Sequence, residues 1–295
     1  MVRKLTYCLI FMLSYTMMMA GNKYALTVFI SEYQNESGWN TLNSSNDKTL
    51  IIPMLKEMGF PDSGIVCLED ERATYANICR SFEELIGKVQ KGDEVYIHFS
   101  CHGQQITDID GDESLVNAKD KLDEALVPYD AYISYGWNGY RGEHHLLDDT
   151  VNAWLHQLSS SVGKEGTVIF VADACHSGDI KRTADSKNHS DFRGTFDTFR
   201  LPLPTVKTGR SSRELNWVSI SACKEFQTNY ECEVNGVKYG RLSYALSQCV
   251  AKGMTVSEML DALGRKYAEI PLPKGKAQTL MAEYPERAAN KTVFR

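Results

Sequence analysis

Two short stretches hold the side chains that could do covalent chemistry. Val168-Ile169-Phe170-Val171 is an apolar run of β-branched and aromatic residues that leads straight into Asp173-Ala174-Cys175-His176-Ser177-Gly178. Such a run reads as a strand buried on both faces. A small, polar, Gly-terminated turn at the C-terminal end of a buried strand is where open α/β sheets place ligands. Far upstream, Glu94-Val95-Tyr96-Ile97-His98-Phe99-Ser100 also patterns as a strand and ends in Cys101-His102-Gly103. If the two strands are parallel neighbours, His102 and Cys175 meet at one sheet edge. A thiol beside an imidazole can attack a carbonyl, with the imidazole as base and then acid. His176 follows Cys175 directly, so on a strand end it points to the other face and reads as structural. His98, within its strand, reads as a hydrogen-bonded core residue.

The elements that must position this pair are readable around it. Tyr24 to Ile30 has strand propensity. Asp47 to Gly59 has helical spacing, with Asn46 or Asp47 near the cap, Pro53 confining the start and Gly59 as the stop. Gly64 to Leu68 reads as a short strand, and Thr74 to Val89 as an amphipathic helix with apolar positions 75, 78, 82, 85 and 89. Asp149 to Leu158 reads as a short helix, Trp217 to Ile220 as a strand, and Leu242 to Val250 and Val256 to Tyr267 as helices. Strands alternating with helices predict an α/β fold with a mainly parallel sheet and right-handed crossovers. Residues 103–146 read as a long acidic, Gly-containing insertion, and 179–214 as a second long loop of the functional or mobile kind.

The chain has 295 residues, net charge −6 and 43% hydrophobic residues, an ordinary globular composition without a basic face for nucleic acid. Arg3 and Lys4 precede an apolar stretch from Leu5 to Met19 that ends in Ala20 and Gly21. This pattern predicts a signal peptide over 1–20, a single domain over 21–295, and an exported (periplasmic or secreted) protein without stable membrane insertion. Seven cysteines follow residue 20. One reactive thiol with up to three bridges suits an exported chain, but Cys67, Cys79 and Cys249 sit in apolar patterns and read as small core residues.

Together, Ser100-Cys101-His102-Gly103 and Asp173-Ala174-Cys175-His176-Ser177-Gly178 resemble the metacaspase branch of the caspase-like cysteine peptidases. The likeness extends to Leu68–Ile78, to Asp123-Glu124-Ala125-Leu126-Val127-Pro128-Tyr129-Asp130, to Ser221-Ala222-Cys223-Lys224-Glu225-Phe226-Gln227-Thr228 and to Gly240–Leu246, in order along residues 23 to 285. The resemblance implies a three-layer, caspase-hemoglobinase-like α/β sandwich and a cysteine endopeptidase that cleaves polypeptides after Arg or Lys. It implies Cys175 as nucleophile, His102 as its acid/base partner, and the backbone N–H groups of Gly103 and Cys175 as the oxyanion site. Asp173, Asp47, Ser100 and Ser44 match its substrate-pocket positions, Ser44 standing where the family usually has cysteine. Acids at the pocket floor suit a cationic side chain. Cys101 replaces the family's common Gly and reads as a packing variant.

The dyad requires no cofactor. Calcium is the one ion the resemblance raises: Asp123, Asp148 and Asp149 match three family ligand positions, but the fourth is Arg182, which opposes a cation. The loop Asp108–Glu113 is acidic, but its Gly111 falls too early for an EF-hand. Lys181, Arg182, Lys187, Arg193, Arg200, Lys207, Arg210 and Arg213 make that loop a candidate for self-cleavage by a basic-specific peptidase. Two alternatives stand beside this expectation: a catalytically silent caspase-like binding module, and a legumain-like peptidase with another specificity.

Overall fold

The computed structural model describes residues 21–108, 122–175, 192–202, 215–224 and 227–295. The expected signal peptide, His176, Arg182, residues 109–113 of the acidic loop and most of the 179–214 loop lie outside the described residues. A six-stranded sheet organises the rest. Its order is β11 (Met281–Glu283), β8 (Val218–Ser221), β7 (Thr167–Asp173), β3 (Glu94–Ser100), β1 (Lys23–Phe29) and β2 (Ile65–Glu69). All neighbours run parallel except β11, which is antiparallel to β8. The central strands β3 and β7 are buried at every position, which is why their sequences read as near-continuous apolar runs.

Strand alternation assigns the two faces. Phe29, Tyr96, Ile169, Val171 and Ile220 pack under α1 (Ser44–Glu57), α4 (Arg241–Cys249) and α5 (Val256–Glu269). Val28, Ile97, Phe99, Val168 and Phe170 pack under α2 (Tyr75–Lys88) and α3 (Asp148–Val162). The result is the expected three-layer sandwich.

Helix α1 differs from expectation. It starts at Ser44, not Asp47, and Pro53 sits inside it rather than near its start. Pro53 is exposed, so the carbonyl it leaves unbonded faces water while buried Ile51, Met54 and Leu55 hold the helix to the sheet. Asp47 therefore lies within the first turn with its side chain fully buried, and it caps nothing.

The described residues of the 103–146 segment hold more regular structure than its composition suggests. It holds an antiparallel sheet of β4 (Gly103–Thr107), β5 (Leu122–Leu126) and β6 (Leu146–Leu147), over a small core of Ile106, Ala125, Val127, Tyr140 and Phe199. A hairpin that the pattern reading did not mark joins β9 (Glu231–Val234) to β10 (Val237–Gly240). Its turn is Asn235-Gly236, with φ of 51° and 79°, the positive-φ pair that tight hairpins need. This hairpin brings Glu231 opposite Gly240. The seven described cysteines are all free thiols; Cys101, Cys175, Cys223 and Cys232 are buried, and Cys67, Cys79 and Cys249 are half-buried. No helix among the described residues is long and apolar enough to cross a membrane.

Candidate active site

The register of β3 against β7 sets the geometry. Ser100 lies opposite Asp173. Two residues further along each chain are His102 and Cys175, so alternation sends Ser100, His102, Asp173 and Cys175 to the same face at the same sheet edge. His98 and Tyr96 precede them on that face. His98 is a hydrogen-bonded core residue: Nδ1 meets the Tyr96 hydroxyl at 3.1 Å and Nε2 meets Ser243 Oγ at 3.0 Å.

His102 is 1% exposed and held on every side. Its ring stacks on Trp39 at 4.9 Å and tilts against Tyr33 at 5.2 Å. Nε2 lies 2.8 Å from the Asn40 carbonyl oxygen. A carbonyl only accepts, so Nε2 carries the proton and Nδ1 carries the lone pair. Nδ1 is buried with no hydrogen-bond partner, leaving a base available for a proton. Burial, with Arg193 adding to it against the Asn40 hydrogen bond, pushes this imidazole down to about 4, so it is neutral at pH 7.

Cys175 is also 1% exposed, and its thiol donates to the Gln227 carbonyl at 3.5 Å. The Cys223 thiol is hydrogen-bonded to it, and that contact plus burial raises the Cys223 pKa strongly. The Cys101 thiol is pushed up to about 12 by burial and packs as a core residue.

A segment of the chain itself crosses this edge. The backbone N–H of Cys175 donates to the Arg193 carbonyl at 2.8 Å, and that of Gly103 donates to the same oxygen at 3.3 Å. The two N–H groups expected to hold an oxyanion thus converge on one peptide carbonyl, that of the Arg193–Gly194 bond. Gly194 lies so close that a Cβ there would come within 2.9 Å of Cys175 Cβ. The segment runs as an added strand. Arg193 N–H donates to Asn229 O at 2.9 Å, Gly194 bridges Gly103, and Phe199 N–H donates to Gln105 O at 2.8 Å.

The Arg193 side chain, fully buried, fills the pocket beneath. Its Nη2 is 2.8 Å from Asp47 Oδ2 and 3.1 Å from Glu231 Oε1. Its Nη1 donates to Ser100 Oγ at 2.6 Å and lies 3.9 Å from Asp173 Oδ2. Ser100 Oγ in turn donates to Asp47 Oδ2 at 2.7 Å. Asp173 is largely engaged elsewhere, accepting from Asn229 Nδ2 at 2.8 Å and from the N–H and hydroxyl of Ser243 at 2.8 and 2.7 Å. Burial works against its charge, but Arg193 and these donors outweigh it and hold the carboxyl below its ordinary value. Burial raises Asp47 to about 6 even with Arg193 beside it. Burial works against the Arg193 charge, but the three carboxylates outweigh it and raise its pKa, so the guanidinium is charged at any working pH.

Of the pocket residues expected from sequence, Asp47, Asp173 and Ser100 surround the guanidinium. Ser44 is buried, but its hydroxyl has no hydrogen-bond partner and does not bond Arg193. Glu231, Asn229, Trp39 and Asn40 were not anticipated. Nor was Gly240, where a Cβ would sit 2.2 Å from Asp173 Oδ2 and 2.7 Å from the Arg193 guanidinium. Asp123 lies on β5, and Asp148 and Asp149 open α3. Among the described residues, no three His, Cys, Asp or Glu side chains are grouped to hold a metal ion.

Three buried neutral imidazoles give the protein an acid limit. Burial depresses His98 to about 3, His102 to about 4 and His145 to about 3. The unfolded chain protonates near pH 6.5 and so binds protons first as the pH drops. Their contribution to stability is complete above about 6.5 and is lost as the pH falls towards 4 and 3. Asp47 opposes this between its unfolded value and about 6, one group against three. The urea midpoint of Cys175→Ala protein should fall steadily from pH 7 to 4. A flat midpoint would contradict the buried-neutral assignment.

Residues 23–183 match the profile described as the metacaspase, peptidase C14 domain, more than half of the chain. The chain belongs to the metacaspase family. It is 24% identical over 294 residues to Metacaspase-1 of Schizosaccharomyces pombe, covering 79% of this chain and 64% of that one. It is 27% identical over 274 residues to Metacaspase-2 of Arabidopsis thaliana, covering 88% of this chain and 60% of that one. The chain thus spans just under two thirds of the length of these metacaspases. Among solved structures, a Geobacter sulfurreducens protein superposes with a TM-score of 0.63 at 17% identity, covering 92% of this chain and 98% of the other. Caspase-1 of Spodoptera frugiperda superposes with a TM-score of 0.57 at 10% identity, covering 90% and 87%. Both establish the caspase-like fold and nothing finer.

Proposed function

We propose that the protein is a cysteine endopeptidase that cleaves polypeptides after Arg or Lys, and that its own Arg193–Gly194 bond is a substrate. One observation carries this reading. A peptide carbonyl from the chain accepts both expected oxyanion N–H groups, while its side chain rests among Asp47, Glu231, Asp173 and Ser100. In the reaction, His102 Nδ1 takes the Cys175 proton and Sγ attacks the arginyl carbonyl carbon. The oxyanion that forms stays on the Cys175 and Gly103 N–H groups. The C–N bond then breaks as Nδ1–H returns the proton to the leaving nitrogen, giving a thioester and a free amine. Water, deprotonated by the same Nδ1, hydrolyses the thioester and regenerates the thiol. Asn40 keeps the imidazole in the one tautomer that can serve both steps. The export expected from residues 1–20 belongs to the same proposal, as an enzyme acting outside the cytoplasm.

Arg-, Lys-, Asp- and Asn-linked fluorogenic peptides test the reading, run on wild type and Cys175→Ala. Turnover of the Arg and Lys peptides alone, absent from Cys175→Ala, is expected. Preferential Asn cleavage would favour a legumain-like specificity, and no cleavage would favour a silent binding module. Gly240→Ala tests the pocket separately. The added methyl would lie 2.2 Å from Asp173 Oδ2 and 2.7 Å from the guanidinium, so the acid and the bound side chain cannot both keep their places, and kcat/KM for the Arg peptide should fall about a hundredfold. Arg cleavage within threefold of wild type would place the side chain elsewhere.

A further inference from the structure

Gln278 lies in the stretch between α5 and β11 and is 7% exposed. Its side-chain amide works at both ends. Oε1 accepts the backbone N–H of Tyr230 at 3.1 Å, and Nε2 donates to Asn229 Oδ1 at 2.6 Å. An N–H only donates, so Tyr230 fixes which end of the Gln278 amide is oxygen. That in turn turns Asn229 Oδ1 towards Gln278 and leaves Nδ2 to donate to Asp173 Oδ1 at 2.8 Å. A carboxylate accepts, so donors and acceptors agree from one end of the chain of bonds to the other. The segment itself is anchored. Gln278 Nε2 also reaches the Tyr267 hydroxyl at 2.6 Å and the Ala222 carbonyl at 3.2 Å, and the Tyr267 hydroxyl donates to that same carbonyl. Buried Arg241 donates from Nη1 to the Gln278 carbonyl at 3.4 Å and from Nη2 to the Ile270 carbonyl at 2.9 Å.

The two residues held by this amide form the edge against which the peptide before the cleaved bond lies. Arg193 N–H donates to the Asn229 carbonyl at 2.9 Å, and Phe192 bridges Tyr230. Asn229 is fully buried. With Gln278 in place, Asn229 Oδ1 and Tyr230 N–H are both satisfied in the conformation that aims the Asn229 carbonyl at the arginyl N–H. Without it, two buried polar groups lose their partner, and residues 229–230 must turn to recover one. We propose that Gln278 is a positioning residue of the peptidase. It acts through Asn229, fixing the carbonyl that receives the backbone N–H of the residue before the cleaved bond. A carbonyl aimed in advance needs no reordering when substrate arrives. The proposal rests on the proposed cleavage after basic residues and adds the residue that holds the substrate backbone in register with the thiol.

Two Arg peptides that differ at one atom provide the test. In one the arginine keeps its backbone N–H; in the other an ester oxygen replaces it, while the bond to be cut stays an amide in both. Wild type should favour the N–H peptide at least tenfold in kcat/KM. Gln278→Met keeps the length and bulk of the side chain and removes its polar atoms. It should lose most of that preference, the N–H peptide falling about tenfold and the ester less than threefold. Tyr267→Phe removes one anchor of Nε2 and should move the ratio the same way by a smaller factor. A merely structural role would depress both peptides alike and leave the ratio at its wild-type value. An unchanged ratio in folded Gln278→Met overturns the proposal while cleavage after basic residues stands, as does a wild type that does not distinguish the two peptides. If Gln278→Met fails to fold, the Tyr267→Phe ratio decides alone. A wild type that cleaves neither peptide refutes the proposed function itself, and the positioning role with it.

Discussion

Replacing Arg193 with alanine, in a Cys175→Ala background that keeps the chain intact, should lower stability by about 3–5 kcal/mol at pH 8. Arg193 is fully buried among Asp47, Asp173 and Glu231. Its removal leaves several buried carboxylates facing one another without a cation, the situation in which breaking a buried pair costs most. The deficit should depend on pH in a defined sense. Without the guanidinium these acids have folded pKa values raised above their unfolded ones, so the folded state binds more protons as the pH falls. The cost is then greatest at high pH and shrinks as the pH drops through the raised values. Urea melts at pH 8 and pH 5 should show the gap between Arg193→Ala and its parent narrowing. A small guanidinium ligand such as agmatine should restore part of the loss by occupying the vacated space. Equal stability of the two proteins at pH 8 would mean that the guanidinium is not seated among the acids.

His102→Ala should lower kcat by about a thousandfold or more for an Arg peptide, with KM little changed, because in the proposed reaction the imidazole transfers protons and does not grip the side chain. The geometry sharpens this expectation. Nε2 is committed to the Asn40 carbonyl at 2.8 Å, so the chemistry falls to Nδ1, which has no other partner. His102→Gln should be almost as damaged as alanine, since an amide can neither take nor return a proton at neutral pH. A variant that keeps a tenth of wild-type kcat would move the base to another residue.

The proposed pairing of His102 with Cys175 is legible in the sequence because β3 and β7 are buried throughout, and the two residues stand immediately beyond them. Their partnership requires only that the strands be parallel neighbours, which the strand–helix alternation already implies. Asp47 is harder to read. Its type and position suggest a helix cap, and only the three-residue shift in where α1 begins turns it into the pocket. Arg193 and Glu231 are not readable from local pattern at all. Arg193 sits in a polar loop with no period, and what defines it is the set of distant residues it reaches: Asp47, Ser100, Asp173 and Asn229. Glu231 directly follows Gln227-Thr228-Asn229-Tyr230, but its direction is set by the Asn235-Gly236 turn and the pairing with Gly240. The turn is the local signal that could have marked the hairpin. The small β4–β5–β6 sheet was hidden because strands as short and charged as Leu122–Leu126 carry little alternation.

Protein purified intact, incubated at neutral pH and examined by mass spectrometry for new chain ends, addresses the central claim most directly. Wild type should yield a fragment that begins at Gly194 and a partner that ends at Arg193, and Cys175→Ala should yield neither. An intact wild-type chain, or the same cut in Cys175→Ala, would mean that the arginyl peptide lying across Cys175 and Gly103 is not a substrate of that thiol.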